Sequence, residues 1–160
     1  MNRPTPPTWI PIGAGKRPVV AQASRAEPST EGPEGRRCCQ DEPVAGCSIR
    51  DFFDLADQLP EVTRVDHGRY WRIEVSNQTF GYVWEPTRTV GLKQTILEQL
   101  ALVAERPETF EVQFTSGGFG WVVVRLEGVE RDELAELTFE AWRLTAPAAL
   151  VDRRGDRLPS

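Results

Sequence analysis

Apolar periodicity begins only at Ser48, and eight of the 13 prolines crowd into Met1–Gly46. A stretch that cannot bury apolar surface cannot offset the entropy lost on ordering. Residues 1–46 are therefore expected to form a disordered arm, and residues 152–160 a second, shorter disordered tail. Whatever folds must come from residues 47–151, a length suited to one domain with one core. Within it, Ser48–Val151 carries ten Arg/Lys and 17 Asp/Glu, a net of −7 against −5 for the whole chain. Such an acidic body repels phosphate backbones on average, so nucleic-acid affinity has to rest on locally clustered cations. Met1 is the only methionine, and a non-ATG start nearer Gly46 is one reading of the arm.

The domain opens with "SIRDFFDLADQL". Ser48 caps a helix with Asp51 three residues on, and Ile49, Phe52, Phe53, Ala56 and Leu59 make one apolar stripe up to the stop at Pro60. "YWRIEV" and "QTFGYVWE" alternate as strands joined by a turn at Ser76-Asn77. Thr89–Lys93 reads as a third strand. "TILEQLALVAER" is helical, with Thr95 and Glu98 as the capping box and Leu97, Leu100, Ala101 and Ala104 as the expected buried face. A strand at Trp121–Leu126 and a helix in "ERDELAELTFEAWRL" follow. The order is helix, three strands, helix, one or two strands, helix. This is an α+β domain, a mainly antiparallel sheet carrying three helices.

Most candidate chemistry fails on spacing. "GAGK" at Gly13–Lys16 has Ile10 where a phosphate loop needs glycine and Arg17 where it needs Ser or Thr. Cys38, Cys39 and Cys47 lack C-x-x-C spacing, so they do not build a tetrahedral metal site with His67. His67 is the only histidine, and no G-x-S-x-G is present. Glu130, Asp132, Glu133 and Glu136 read as a solvated helix face that complements the helix dipole. No catalytic residue, metal or cofactor is assigned, and the expectation is a non-enzymatic protein. With no secretory leader pattern, no apolar run of about 20 residues and no disulfide framework, the chain is expected in the cytoplasm, as a monomer, away from membranes.

Two features point to binding instead. Phe80, Tyr82 and Trp84 share one strand face, which reads either as core or as a base-stacking platform. Ser116-Gly117-Gly118-Phe119-Gly120 stands directly before the stiff Trp121–Leu126 strand. It reads as a hairpin turn or as a backbone loop that meets a ligand, with Ser116, Gly117, Gly118 and Phe119 as the contact residues.

The order of these pieces resembles the MmcQ/YjbR family over Ser48–Val151. The resemblance rests on Leu59-Pro60-Glu61-Val62, on Gly118-Phe119-Gly120-Trp121-Val122-Val123-Val124-Arg125-Leu126, and on Ala141-Trp142-Arg143-Leu144 followed by Ala146-Pro147. It implies a compact α+β domain likened to double-wing DNA-binding modules, with no cofactor and no established reaction. Double-stranded DNA is the partner so implied, held through the hairpin and glycine-loop face. Its candidate contacts are Arg64, Arg69, Arg72, Arg88, Lys93 and Arg125, with Arg36-Arg37 and Arg153-Arg154 outside the domain body. The chain departs from the family at Ala148-Ala149, Gln78-Thr79 and Ser116-Gly117-Gly118, where cations are common. Those losses keep open a second reading, a module for a protein or small ligand without nucleic-acid affinity.

Overall fold

The computed structural model describes residues 46–160; the arm expected over 1–46 lies outside them except for Gly46. Helix α1 (Ile49–Ala56) starts on a complete capping box: the Asp51 amide donates to Ser48 Oγ at 3.2 Å, and the Ser48 amide donates to Asp51 Oδ2 at 2.8 Å. Arg131 adds a contact from Nη1 to Asp51 Oδ1 at 2.8 Å. The Ser48 hydrogen bonds first, and Arg131 after them, hold the Asp51 carboxyl below the usual carboxylate range. A depressed folded-state pKa means that this cap stabilises the fold above the unfolded carboxylate value and is lost as pH falls through the folded one. Asp51→Asn is therefore expected to cost about 1 kcal/mol at neutral pH. Denaturant melts at pH 7 and pH 3 should show that difference shrinking in acid.

Four strands follow: β1 (Val62–Asp66), β2 (Trp71–Val75), β3 (Gln78–Trp84) and β4 (Thr89–Thr95). Helix α2 (Ile96–Glu105) leads to β5 (Phe110–Ser116) and β6 (Phe119–Arg125), and the chain closes with α3 (Arg131–Arg143) and α4 (Ala148–Arg154). The six strands form one antiparallel sheet in the order β1-β2-β3-β4-β6-β5. Two-residue turns with positive φ at both positions close the β2–β3 hairpin (Ser76 48°, Asn77 63°) and the β5–β6 hairpin (Gly117 59°, Gly118 81°), as the right-handed strand twist favours. Among the described residues, no helix is long and apolar enough to cross a membrane.

Cross-strand register separates the two faces. Arg64, Ile73, Gly81, Leu92, Val122 and Val112 stand opposite one another in a single row, as do Asp66, Trp71, Val83, Val90, Val124 and Phe110. These rows meet the helices: Phe53 of α1 packs edge-on against Trp71, and Gln94, two residues along β4 from Leu92, donates to Leu137 O of α3. The main core, with Phe52, Leu55, Ile73, Val83, Leu92, Val124, Leu134 and Trp142, lies on this side.

Three sequence expectations change. First, α2 buries Gln99 and half-buries Leu102 and Val103, while Leu97 and Leu100 are 81% and 57% exposed and Ala101 and Ala104 also face out. The polar Gln99 sets the rotation, because its Nε2 donates to Phe114 O at 3.0 Å and Trp121 O at 2.8 Å. Second, residues 152–160 do not form a disordered tail. Leu150 is buried, α4 continues to Arg154 until Gly155 takes φ 66°, and Ser160 exchanges two hydrogen bonds with Gln58. α4 is thus a fourth helix. Third, β1 is a strand that the sequence hid. It is an edge strand with no fully buried side chain, so its apolar alternation is faint.

A ring-lined sheet face

The opposite rows of the sheet read Val65, Arg72, Tyr82, Gly91, Val123 and Glu111, then Trp84, Thr89 and Arg125, then Lys93, Trp121 and Phe114. Two bulges shape this face. Ile73 pairs with Gly81 but Glu74 pairs with Thr79, so Phe80 is the extra residue. The bulge turns Phe80 into the main core, fully buried, and breaks the expected Phe80–Tyr82–Trp84 stripe. Tyr82 and Trp84 stay on the far side. Likewise Val112 pairs with Val122 and Phe114 with Trp121, which makes Gln113 the extra residue and brings Phe114 round beside Trp121.

The result is a connected set of rings. Tyr82 is the hub, 5.9 Å from Trp84, 5.3 Å from Trp121 and 5.8 Å from Tyr70, between ring centroids. Trp121 stacks on Phe114 at 5.3 Å, and Tyr70 on His67 at 5.0 Å. Trp121 is buried, yet it stands outside the main core, whereas Tyr70, Tyr82, Trp84 and Phe114 are half-buried. Gly91 makes room at the centre, since a Cβ there would lie 3.0 Å from the Trp84 ring. Burial, and then the neighbouring Tyr70, push the Tyr82 phenol up, so it remains a hydrogen-bond donor at neutral pH.

The predicted cations are spread around these rings. Lys93 sits over Phe119, its Nζ 4.0 Å from the ring centroid, and burial lowers its pKa. Phe119 is thus a base under Lys93 rather than a free tip. Arg72 pairs with Glu74 (2.6 Å) and Arg125 with Glu111 (3.3 Å) on the same face. Arg64 belongs to the helix side, paired with Asp57 and lying over Phe53. Arg69 and Arg88 are in the connections at the end where β2 and β4 begin, and Arg88 adopts a left-handed φ of 52°. Ser116, Gly117 and Gly118 make the turn at the other end, six residues of β4 away, roughly 20 Å. The structure therefore joins Arg72, Lys93 and Arg125 on one face, puts Arg64 on the other, and leaves Arg69 and Arg88 at one end of the sheet, Arg69 beside Tyr70, with the glycine turn at the other end. Tyr70, Trp121 and Phe114 were not among the sequence candidates. Strand alternation was their available signal, and the bulge at Gln113 obscured it for Phe114.

A family model described as YjbR matches residues 57–144. No curated protein matches the chain. Among solved structures, the Deinococcus radiodurans protein DR2400, described with a DUF419 domain, shares the fold: TM-score 0.57 at 17% identity, covering 69% of this chain and 88% of that one.

Proposed function

This chain belongs to the YjbR family, and from that premise we propose that it is a non-enzymatic, cytoplasmic DNA-binding domain that stacks bases on the ring-lined face of its sheet. The observation that supports the reading is the array of Tyr70, Tyr82, Trp84, Trp121 and Phe114 on the side away from the main core, with Lys93 at its margin. The half-buried rings of Tyr70, Tyr82, Trp84 and Phe114, held by one another and by the buried Trp121, offer flat apolar surface at little entropic cost, and every base has a face to lay on them. Bases locked in a duplex do not present that face. The site therefore suits unpaired DNA better than double-stranded DNA.

Anisotropy of a labelled oligonucleotide, single-stranded and as a duplex, tests this across a salt series. The single strand is expected to bind more tightly, with a shallow log–log salt slope of about −0.7 to −1.4, the value for one or two phosphates neutralised. Trp84→Ala is expected to weaken it by roughly 5- to 150-fold, the equivalent of one lost stack. A duplex preference with a steep slope would move the contact to Arg69 and Arg88. The second reading, a protein or small-ligand module without nucleic-acid affinity, is favoured by the pairing of Arg64, Arg72 and Arg125 with Asp57, Glu74 and Glu111. Absence of binding by either oligonucleotide at low salt would retire the first reading.

A further inference from the structure

On the helix side of the molecule, away from the rings, a cavity of about 340 Å³ is lined by Pro60, Glu61, Leu150, Arg153, Arg154 and Arg157. Three guanidinium groups against one carboxylate give the lining a local charge of +2 in a chain whose net is −5. The carboxylate is partly committed already: Ser76 Oγ donates to Glu61 Oε2 at 2.8 Å, and Arg153 Nη2 stands 3.7 Å from Glu61 Oε1. Arg154 Nε is shielded from solvent and donates to nothing. Arg154 as a whole is half-buried, and because its Nε is out of reach of solvent-sized atoms, an anion in the cavity would be held through the outer nitrogens of the guanidinium fork. Asp152 and Asp156 do not line the cavity.

We propose that this cavity binds the phosphate group of a small phosphomonoester. The +2 lining matches a phosphate dianion, and the planar forks of Arg153, Arg154 and Arg157 suit its oxygens. The volume lies at the lower end of small-ligand sites and exceeds the needs of a bare ion. Pro60 and Leu150 supply an apolar wall for an organic stem.

Calorimetry on the full chain at constant ionic strength, with phenyl phosphate and inorganic phosphate as probes, is the test. Both are expected to bind saturably, phenyl phosphate the more tightly, and both better at pH 8 than at pH 5, because the second phosphate pKa lies near 6. Arg154→Gln is expected to weaken phenyl phosphate binding by about 10- to 100-fold. Arg157→Gln, an exposed position, should weaken it in a protein of unchanged circular dichroism, and Trp84→Ala should leave it unaltered. Wild-type affinity in both arginine variants overturns the assignment. So does loss of binding in Trp84→Ala, which would put the probe on the rings, or equal affinity for the monoanion dimethyl phosphate.

Discussion

Replacing Trp142 by alanine is expected to remove about 3–5 kcal/mol of stability, the range for deleting a fully buried aromatic side chain. Trp142 has no exposed surface, stacks on Phe139 with centroids 5.8 Å apart, and donates from Nε1 to Pro60 O at 3.1 Å. That hydrogen bond ties α3 to the segment where the chain leaves α1 and enters β1. Alanine would leave a cavity between them and deprive the Pro60 carbonyl of its donor. Trp142→Phe keeps much of the volume but removes the donor, so its cost, about 1–3 kcal/mol, sets an upper bound on the share of the hydrogen bond. Urea denaturation followed by circular dichroism gives both numbers. A loss under about 1 kcal/mol for the alanine variant would show that the surroundings collapse to fill the space.

Gly120→Val is expected to be nearly as damaging, at about 2–4 kcal/mol from overpacking combined with broken buried hydrogen bonds. A Cβ at position 120 would lie 2.7 Å from Gln99 Cβ and 2.8 Å from Gln99 Cδ. Gln99 is 2% exposed and cannot swing away without giving up its bonds to Phe114 O and Trp121 O. Helix α2 would have to lift from β6. Hydrogen exchange should accordingly quicken first in α2, with α1 and α3 less affected. Uniform acceleration across all three helices would argue that Gln99 is no local anchor. Gly117 and Gly118 differ from Gly120 despite their proximity: they serve the turn by their positive φ, and a Cβ on either meets nothing within 4 Å. Of the three glycines before the stiff strand, two bend the chain and one admits a helix.

Much of this fold was legible from periodicity, and the misses have physical causes. Ser48 and Asp51, the Ser76-Asn77 turn, and strands β2, β3, β4 and β6 follow from capping, turn and alternation rules that act within a few residues. Local rules do not see a bulge, because an extra residue is defined by the partner strand. Phe80 therefore changed faces, although its neighbours alternate correctly. The rotation of α2 is hidden from the sequence for a similar reason. Leu97, Leu100, Ala101 and Ala104 have the spacing of a buried stripe, but the carbonyls that capture Gln99 belong to β5 and β6. Sequence presents each charged candidate singly. Which of them share a surface depends on register, and the ion pairs of Arg64, Arg72 and Arg125 depend on contacts that spacing does not disclose.

The ring array also has an optical consequence. Trp84 and Trp121 flank Tyr82 at 5.9 and 5.3 Å, while Trp142 is enclosed in the main core with Phe139 as its stacking partner. Indoles so placed report different events. The first two emit from the face where a ligand would lie and should respond to it by quenching or by a change in near-ultraviolet dichroism, whereas Trp142 senses the interior. Trp9 and Trp71 emit as well, so subtracting the spectrum of Trp142→Phe from that of the unmodified protein isolates the interior signal, and unfolding can be followed apart from occupancy in one unlabelled molecule.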